Sequence, residues 1–151
     1  MKKLFLIIIF FITSCGYQPI YSNNSLEDTE FYKISTQGEN KINKLILNSL
    51  SLKENISNEK LPELFLSSLY GVEEISKNSK GQVETYRSSI LVNIKIIKNK
   101  NTIKNKTFSD EFTYNKKDNK FELTEYQKSI RKQLTVGIIE DLFLFLNMKW
   151  L

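Results

Sequence analysis

The sequence predicts an α+β fold: two helices packed on one face of a four-stranded, mainly antiparallel sheet, in the order strand–helix–strand–strand–strand–helix. Three observations predict it. Residues 90–97 alternate so that Ile90, Val92, Ile94 and Ile96 share one wholly apolar strand face. Polar turns at 77–81 and 99–101 separate three consecutive strand-like runs, the pattern of an antiparallel meander. Two further segments carry apolar residues at helical steps of three and four. A sheet with one wet face and helices with one apolar face each cover one another in two layers.

Each element has its own signal. Phe31, Tyr32 and Ile34 make a short first strand over 30–36, broken by Gly38. A helix over about 40–53 places Ile42, Leu45, Ile46, Ser49, Leu50 and Lys53 on one face, with Lys41, Lys44 and Asn48 opposite. Pro62 opens a strand over 63–76, in which Gly71 marks a bulge or kink. A long strand at 83–98 turns tightly at Asn99-Lys100-Asn101 into a strand at 102–114, where Phe108, Phe112 and Tyr114 share a face interrupted by Asp110. Asn115 to Lys120 reads as a polar, basic loop. Thr124 and Gln127 have capping-box spacing and begin a helix running to about 147, roughly 36 Å long. Ile130, Leu134, Ile138, Leu142 and Leu146 form its stripe, and its last turns are apolar nearly all round.

The N-terminus is an address rather than part of this body. Lys2 and Lys3 precede a nine-residue apolar run from Leu4 to Ile12, then Thr13, Ser14 and Cys15. Nine residues rise about 14 Å as a helix, half the hydrocarbon core, so a permanent span is disfavoured. Ile12-Thr13-Ser14-Cys15 resembles the lipobox of bacterial lipoproteins, in which the cysteine sulfur receives diacylglycerol, the signal is cut before it, and the new amine is acylated. An ordinary secreted protein with a chance cysteine, or an uncleaved anchor, are the alternatives. The resulting division is a signal peptide at 1–14, a lipidated tether at 15–29 and one domain at 30–151; the alternative for the tether is that Tyr17, Ile20 and Tyr21 dock on the domain.

Composition narrows the chemistry. Cys15 is the only cysteine, so no internal disulfide can form, and the chain has no histidine. That removes the commonest general base and metal ligand, so no metal or cofactor is expected. Glu73 and Glu74 are adjacent and on a strand point to opposite faces, as do Asp110 and Glu111; neither pair can flank one bond, and no enzyme activity is expected. The signal holds two of the 22 Lys and Arg and none of the 17 acids, which leaves the mature chain at +3. The excess of Lys, Asn and Ile fits an AT-biased genome. Export removes nucleic acid from the partners.

At Cys15-Gly16-Tyr17-Gln18-Pro19-Ile20-Tyr21 the chain resembles the LPS-assembly lipoprotein LptE (RlpB) family, whose mature proteins begin Cys-Gly-aromatic-x-Pro-aliphatic-Tyr. The order of elements is similar over nearly the whole chain. Glu84-Thr85-Tyr86-Arg87 is similar to the Thr-Arg-Tyr-like start of the family's long strand, with Tyr and Arg exchanged. The resemblance implies an outer-membrane lipoprotein on the periplasmic side, complexed with the β-barrel transporter LptD, assisting its assembly and the delivery of lipopolysaccharide. Gly16, unlike Asp, is compatible with outer-membrane sorting.

The meander also fixes which loops are neighbours. Lys77 and Lys80 in one loop and Lys116, Lys117 and Lys120 in another share one end of the sheet, with Arg87 near it, and together suit lipopolysaccharide phosphates. The competing reading is that these lysines only solvate loop tips; Asp118 dilutes them, and Lys98, Lys100, Lys104 and Lys106 make the opposite end basic too. Tyr70, Phe108, Phe112, Tyr114 and Phe143 could anchor a protein partner, although core packing accounts for each. The alternative function is an envelope lipoprotein binding a lipid or protein outside LPS assembly, which a closed apolar cavity between helices and sheet would favour.

Overall fold

The computed structural model describes residues 29–148. The signal peptide, Cys15, the Cys15–Tyr21 motif and the tether up to residue 28 lie outside the described residues. The chain forms β1 (Glu30–Phe31), β2 (Lys33–Gly38), α1 (Asn40–Ser49), β3 (Lys53–Glu54), β4 (Glu63–Lys77), β5 (Val83–Lys98), β6 (Asn101–Asn115) and α2 (Lys120–Asn147). The main sheet has the order β2-β4-β5-β6; β1 and β3 form a small separate pair. Only β2–β4 is parallel in the main sheet, because α1 carries the chain across between them. The expected two-layer α+β fold is the one found.

The apolar alternation builds the core directly. Leu64 and Leu66 of β4, with Ile90, Val92, Ile94 and Ile96 of β5, are buried beneath Ile42 and Ile46 of α1 and Ile130, Leu134, Ile138 and Leu142 of α2. Each such side chain contributes about 1.5–3 kcal/mol on leaving water. In α2 a second buried stripe, Thr135 and Ile139, lies beside the first, and α1 packs against α2. This explains why the end of α2 is apolar nearly all round, although Leu144 stays exposed.

Several details depart from the expectation. The first strand is split at Tyr32, whose amide bonds Pro62 O, so β1 pairs with β3 and only β2 joins the main sheet. Helix α1 stops at Ser49, not 53. Leu50 and Leu52 remain buried, but Ser51 turns to φ 52° and Lys53 starts β3, so the helical spacing outlasts the helix. Ser49 and Lys53 are exposed, while Asn43 is buried and donates to Gln37 O at 2.9 Å. Gly71 pairs regularly with Ser89; the irregularity falls four residues later, between Glu74 and Ser76. Helix α2 begins at Lys120, not Thr124. Asn119 caps it by accepting from Phe121 N at 2.8 Å, and Thr124, now inside the helix, donates to Lys120 O. At 28 residues α2 is about 42 Å long.

One junction sets how much sheet is covered. Gly38 has φ 87°, and a Cβ there would stand 1.9 Å from Ser68 O. The chain passes so close because Glu39 N bonds Ser68 O at 3.2 Å while Ser68 Oγ donates to Glu39 O. Helix α1 therefore starts level with Ser68 and returns toward Glu63. The outer halves of β4, β5 and β6 project beyond it, with α2 as their only helical cover among the described residues.

Candidate functional site

The projecting end carries the loops that the sequence singled out. In the β4–β5 turn, Asn78 Oδ1 accepts from the amides of Lys80 and Gln82, each at 3.0 Å, and Gly81 takes φ 76°. Asn78 thus holds Lys80 at the tip. Across the sheet, Lys116 N donates to Glu84 O at 2.7 Å, which ties the β6–α2 loop to the start of β5. A shallow depression of about 430 Å³ lies between the loops, lined by Asn78, Gln82, Glu84, Thr85, Lys116 and Asp118 among others.

Five of the six predicted cations share this end: Lys77, Lys80, Lys116, Lys117 and Lys120. They are not equivalent. Lys77 ends β4 and pairs with Glu74 at 3.1 Å. The ammonium of Lys117 lies 4.9 Å from the ring centre of Tyr126. Lys120 is the first residue of α2 rather than a loop residue, and its charge sits unfavourably at the positive end of the helix dipole, which Glu122 in the first turn offsets. Glu84 and Asp118 border the same depression and reduce its net charge. Arg87 is not part of the group. It lies on the face of β5 opposite the described helices, where its Nε, a buried atom without a hydrogen bond, is 3.9 Å from Glu111 Oε2.

A neighbouring feature escaped the sequence reading. On the helix side of the same end, Tyr86, Phe112, Tyr114 and Tyr126 form a ring cluster: Tyr86 stacks on Tyr114 at 5.8 Å, Phe112 stacks on Tyr114 at 6.4 Å, and Tyr126 meets Tyr114 edge-on at 5.6 Å. Tyr70 OH donates to Ser88 Oγ at 2.9 Å, Ser88 Oγ lies 3.2 Å from Tyr114 OH, and the Arg131 guanidinium covers the Tyr70 ring. The pairing rests on register: the tight turn at 99–100 alone would set Tyr86 opposite Thr113, and the one-residue irregularity between Ile96 and Ile97 shifts the ladder so that Tyr86 faces Tyr114 and Ser88 faces Phe112. Of the five candidate anchors, Phe108 and Tyr114 are core, Tyr70 and Phe143 are half-buried, and only Phe112, 45% exposed, offers much surface.

The other end of the sheet uses its lysines structurally. Lys104 Nζ donates to Phe145 O at 3.0 Å and to Met148 O at 3.1 Å, closing the C-terminus of α2. Burial lowers its pKa from the ordinary lysine value. The Lys106 ammonium stands 4.8 Å from the Phe108 ring centre and 5.5 Å from that of Phe145. Among the described residues, no group of three or more Cys, Asp or Glu is placed to hold a metal ion, and no helix is long and apolar enough to cross a membrane.

Fold and site together define a two-layer α+β body that presents lysine-bearing loops and a tyrosine cluster at the end remote from α1. That fold is shared with the rare lipoprotein B of Shewanella oneidensis, at a TM-score of 0.58 and 14% identity over 74% of this chain and 90% of that one. It is shared with a lipoprotein B of Nitrosomonas europaea, at a TM-score of 0.55 and 9% identity over 85% and 88% of the two chains. A Caulobacter crescentus protein described as a lipoprotein aligns at a TM-score of 0.52 and 12% identity, over 75% and 86%. No protein-family model and no curated protein sequence matches the chain.

Proposed function

We propose that this protein is a lipoprotein of the outer membrane, anchored on its periplasmic side through lipid on Cys15, which binds an LptD-like β-barrel, assists its assembly and helps deliver lipopolysaccharide. The fold shared with rare lipoprotein B over 90% of that chain carries the reading. The signal-like start and the Cys15–Tyr21 motif support it from the sequence side.

The geometry supports the same division of labour. Thr29 O accepts from Lys53 N, so the tether leaves the end of the sheet where β4 begins. The lysine loops lie at the opposite end of β4, β5 and β6. Strands of 15 to 16 residues separate the two by about 50 Å. An anchored body of this shape holds its basic loops well away from its own attachment. The layer between helices and sheet is filled by side chains, which favours a protein that works through its surface over a carrier that encloses a lipid.

The reading predicts that the tagged, lipidated protein co-purifies with a large outer-membrane barrel, and that depleting it leaves the barrel misassembled. Purification without any such barrel overturns the assignment. For the loops, replacing Lys116, Lys117 and Lys120 together with Ala is expected to weaken lipopolysaccharide binding about tenfold or more, taking roughly 0.5–1 kcal/mol for each exposed charge contact, and to flatten its salt dependence. Unchanged affinity and salt slope remove these residues from the site.

A further inference from the structure

On the face that no helix covers among the described residues, a groove of about 480 Å³ runs across the near half of β2, β4 and β5. Two rows of the sheet account for it. Ser35, Phe65 and Lys95 stand side by side in one, and Gln37, Ser67 and Asn93 in the next. Ile97 closes the lower end. The small Ser35 and Ser67 leave the hollow; Phe65, 39% exposed, and Ile97 supply its apolar surface.

We infer that this groove is the docking site for the mature N-terminal segment of the same chain, with Tyr17, Pro19, Ile20 and Tyr21 lying across Phe65 and Ile97. The place where that segment joins the body is the first argument. Lys33, four residues after Thr29, pairs with Glu63, which pairs with Ile97 at the foot of the groove. The second argument is length. The fourteen residues 15–28 reach up to about 46 Å when extended, whereas the groove rows span only about 13 Å. The segment can cross the face and reverse, and Ser22-Asn23-Asn24-Ser25 is the turn-forming stretch between its apolar part and β1.

Chemistry is the third argument. The stretch proposed to dock, 17–21, is uncharged, which suits a groove whose one charged lining residue is Lys95; Glu27 and Asp28 follow it toward the foot, where Lys33 and Glu63 stand side by side. Pro19 lacks an amide proton, so it suits a bed of side chains better than pairing along a sheet edge. Docking shortens the link between lipid and body. It holds the near end of the sheet, with Lys98 and Lys100 in its hairpin, against the bilayer. The inference concerns the anchored segment and holds whatever partner the far end has.

The test uses the whole lipoprotein in membranes, since Cys15 is the only native cysteine. The double variant Ile20→Cys/Ile97→Cys is oxidised and mapped by peptide mass spectrometry, beside Ile20→Cys/Ser49→Cys. Ser49 is exposed on the helix side and lies four residues from Lys53, close to where the tether joins, so an undocked tether reaches it as readily. Docking predicts that the 20–97 disulfide forms at least about tenfold faster than the 20–49 one. Adding the surface change Phe65→Ser should bring the two rates together. Equal rates at the outset, or cross-links mainly between two molecules, overturn the inference. Lipidation is read separately: an unmodified thiol at position 15 counts against the proposed anchor, not against docking.

Discussion

Substituting Gly38 by alanine tests the junction that decides how much of the sheet lies bare. The new Cβ would lie 1.9 Å from Ser68 O and 3.0 Å from Ser68 C, both backbone atoms of an interior strand that cannot swing aside. Holding alanine at φ 87° costs about 1–2 kcal/mol. Relieving the clash separates β2 from β4 and loses the bond from Glu39 N to Ser68 O, worth about 1 kcal/mol more. The expected loss is therefore at least about 2–3 kcal/mol. Gly81 is the matched control: its φ is 76°, but a Cβ there would meet nothing within 4 Å, so only the conformational cost remains. In urea, with a slope of about 1–3 kcal/mol/M for a domain of this size, Gly38→Ala should lower the midpoint by about 1 M or more. Gly81→Ala, with the conformational cost of about 1–2 kcal/mol alone, should lower it by at most about half to two-thirds as much. Equal shifts would show that the close approach at Ser68 contributes nothing, and that reasoning would fail.

Two further predictions concern buried polar groups. Ser88→Ala leaves the hydroxyls of Tyr70 and Tyr114 without their shared partner and should cost about 1–3 kcal/mol; in chemical denaturation Tyr114→Phe should add less to that loss than it costs alone, and strict additivity would show that the three hydroxyls do not act together. Lys104 titrates below the ordinary lysine value of 10.5 in the folded chain, so in the window just under that value the unfolded chain binds more protons and stability rises with pH. Lys104→Met should reduce that rise just below pH 10.5 in thermal unfolding; an unchanged slope would refute the assignment.

The layers of this protein were legible because burial and alternation coincide. Ile90, Val92, Ile94 and Ile96 could occupy only the covered face, and that one strand fixed the register of its neighbours. The bounds of β5 were read correctly for the same reason. Boundaries governed by single backbone bonds were not legible. The face of α1 continues through Leu50 and Leu52, although Ser51 has already left the helix. Asn119 and Thr124 are both competent N-caps, and the choice between them lies in the bond to Phe121 N. The grouping of lysines at one end followed from topology alone, so sequence found it. Arg87 is near that end, four residues into β5, and strand parity puts it on the face opposite the helices. The tyrosine cluster was invisible because it needs register and helix placement at once.

The lysines at the two ends of the sheet bear differently on whether lysine richness reflects only genome composition. At the near end, Lys104 closes a helix and Lys106 lies over two rings, which are structural uses. At the far end, Asn78 spends its side chain holding the Lys80 amide, and Glu84 O fixes that of Lys116. No carboxylate lies within 4.0 Å of the ammonium groups of Lys80, Lys116 or Lys120 among the described residues. Both amide bonds shape backbone, one a turn and the other a strand end; they fix where the lysines stem from and leave their side chains exposed. Under the proposed function, an anionic partner would meet cations that are spaced and unpaired, at the end of the sheet about 50 Å from where Thr29 joins the body. Removing Val72–Glu73, Arg87–Ser88 and Phe112–Thr113, two matched rows, would keep every lysine and every buried apolar side chain, losing only Ser88 of the buried groups, and would bring the loops about 7 Å closer to the end where Thr29 joins. If such a variant folds and still supports lipopolysaccharide delivery undiminished, the reach of the strands is incidental and charge alone suffices.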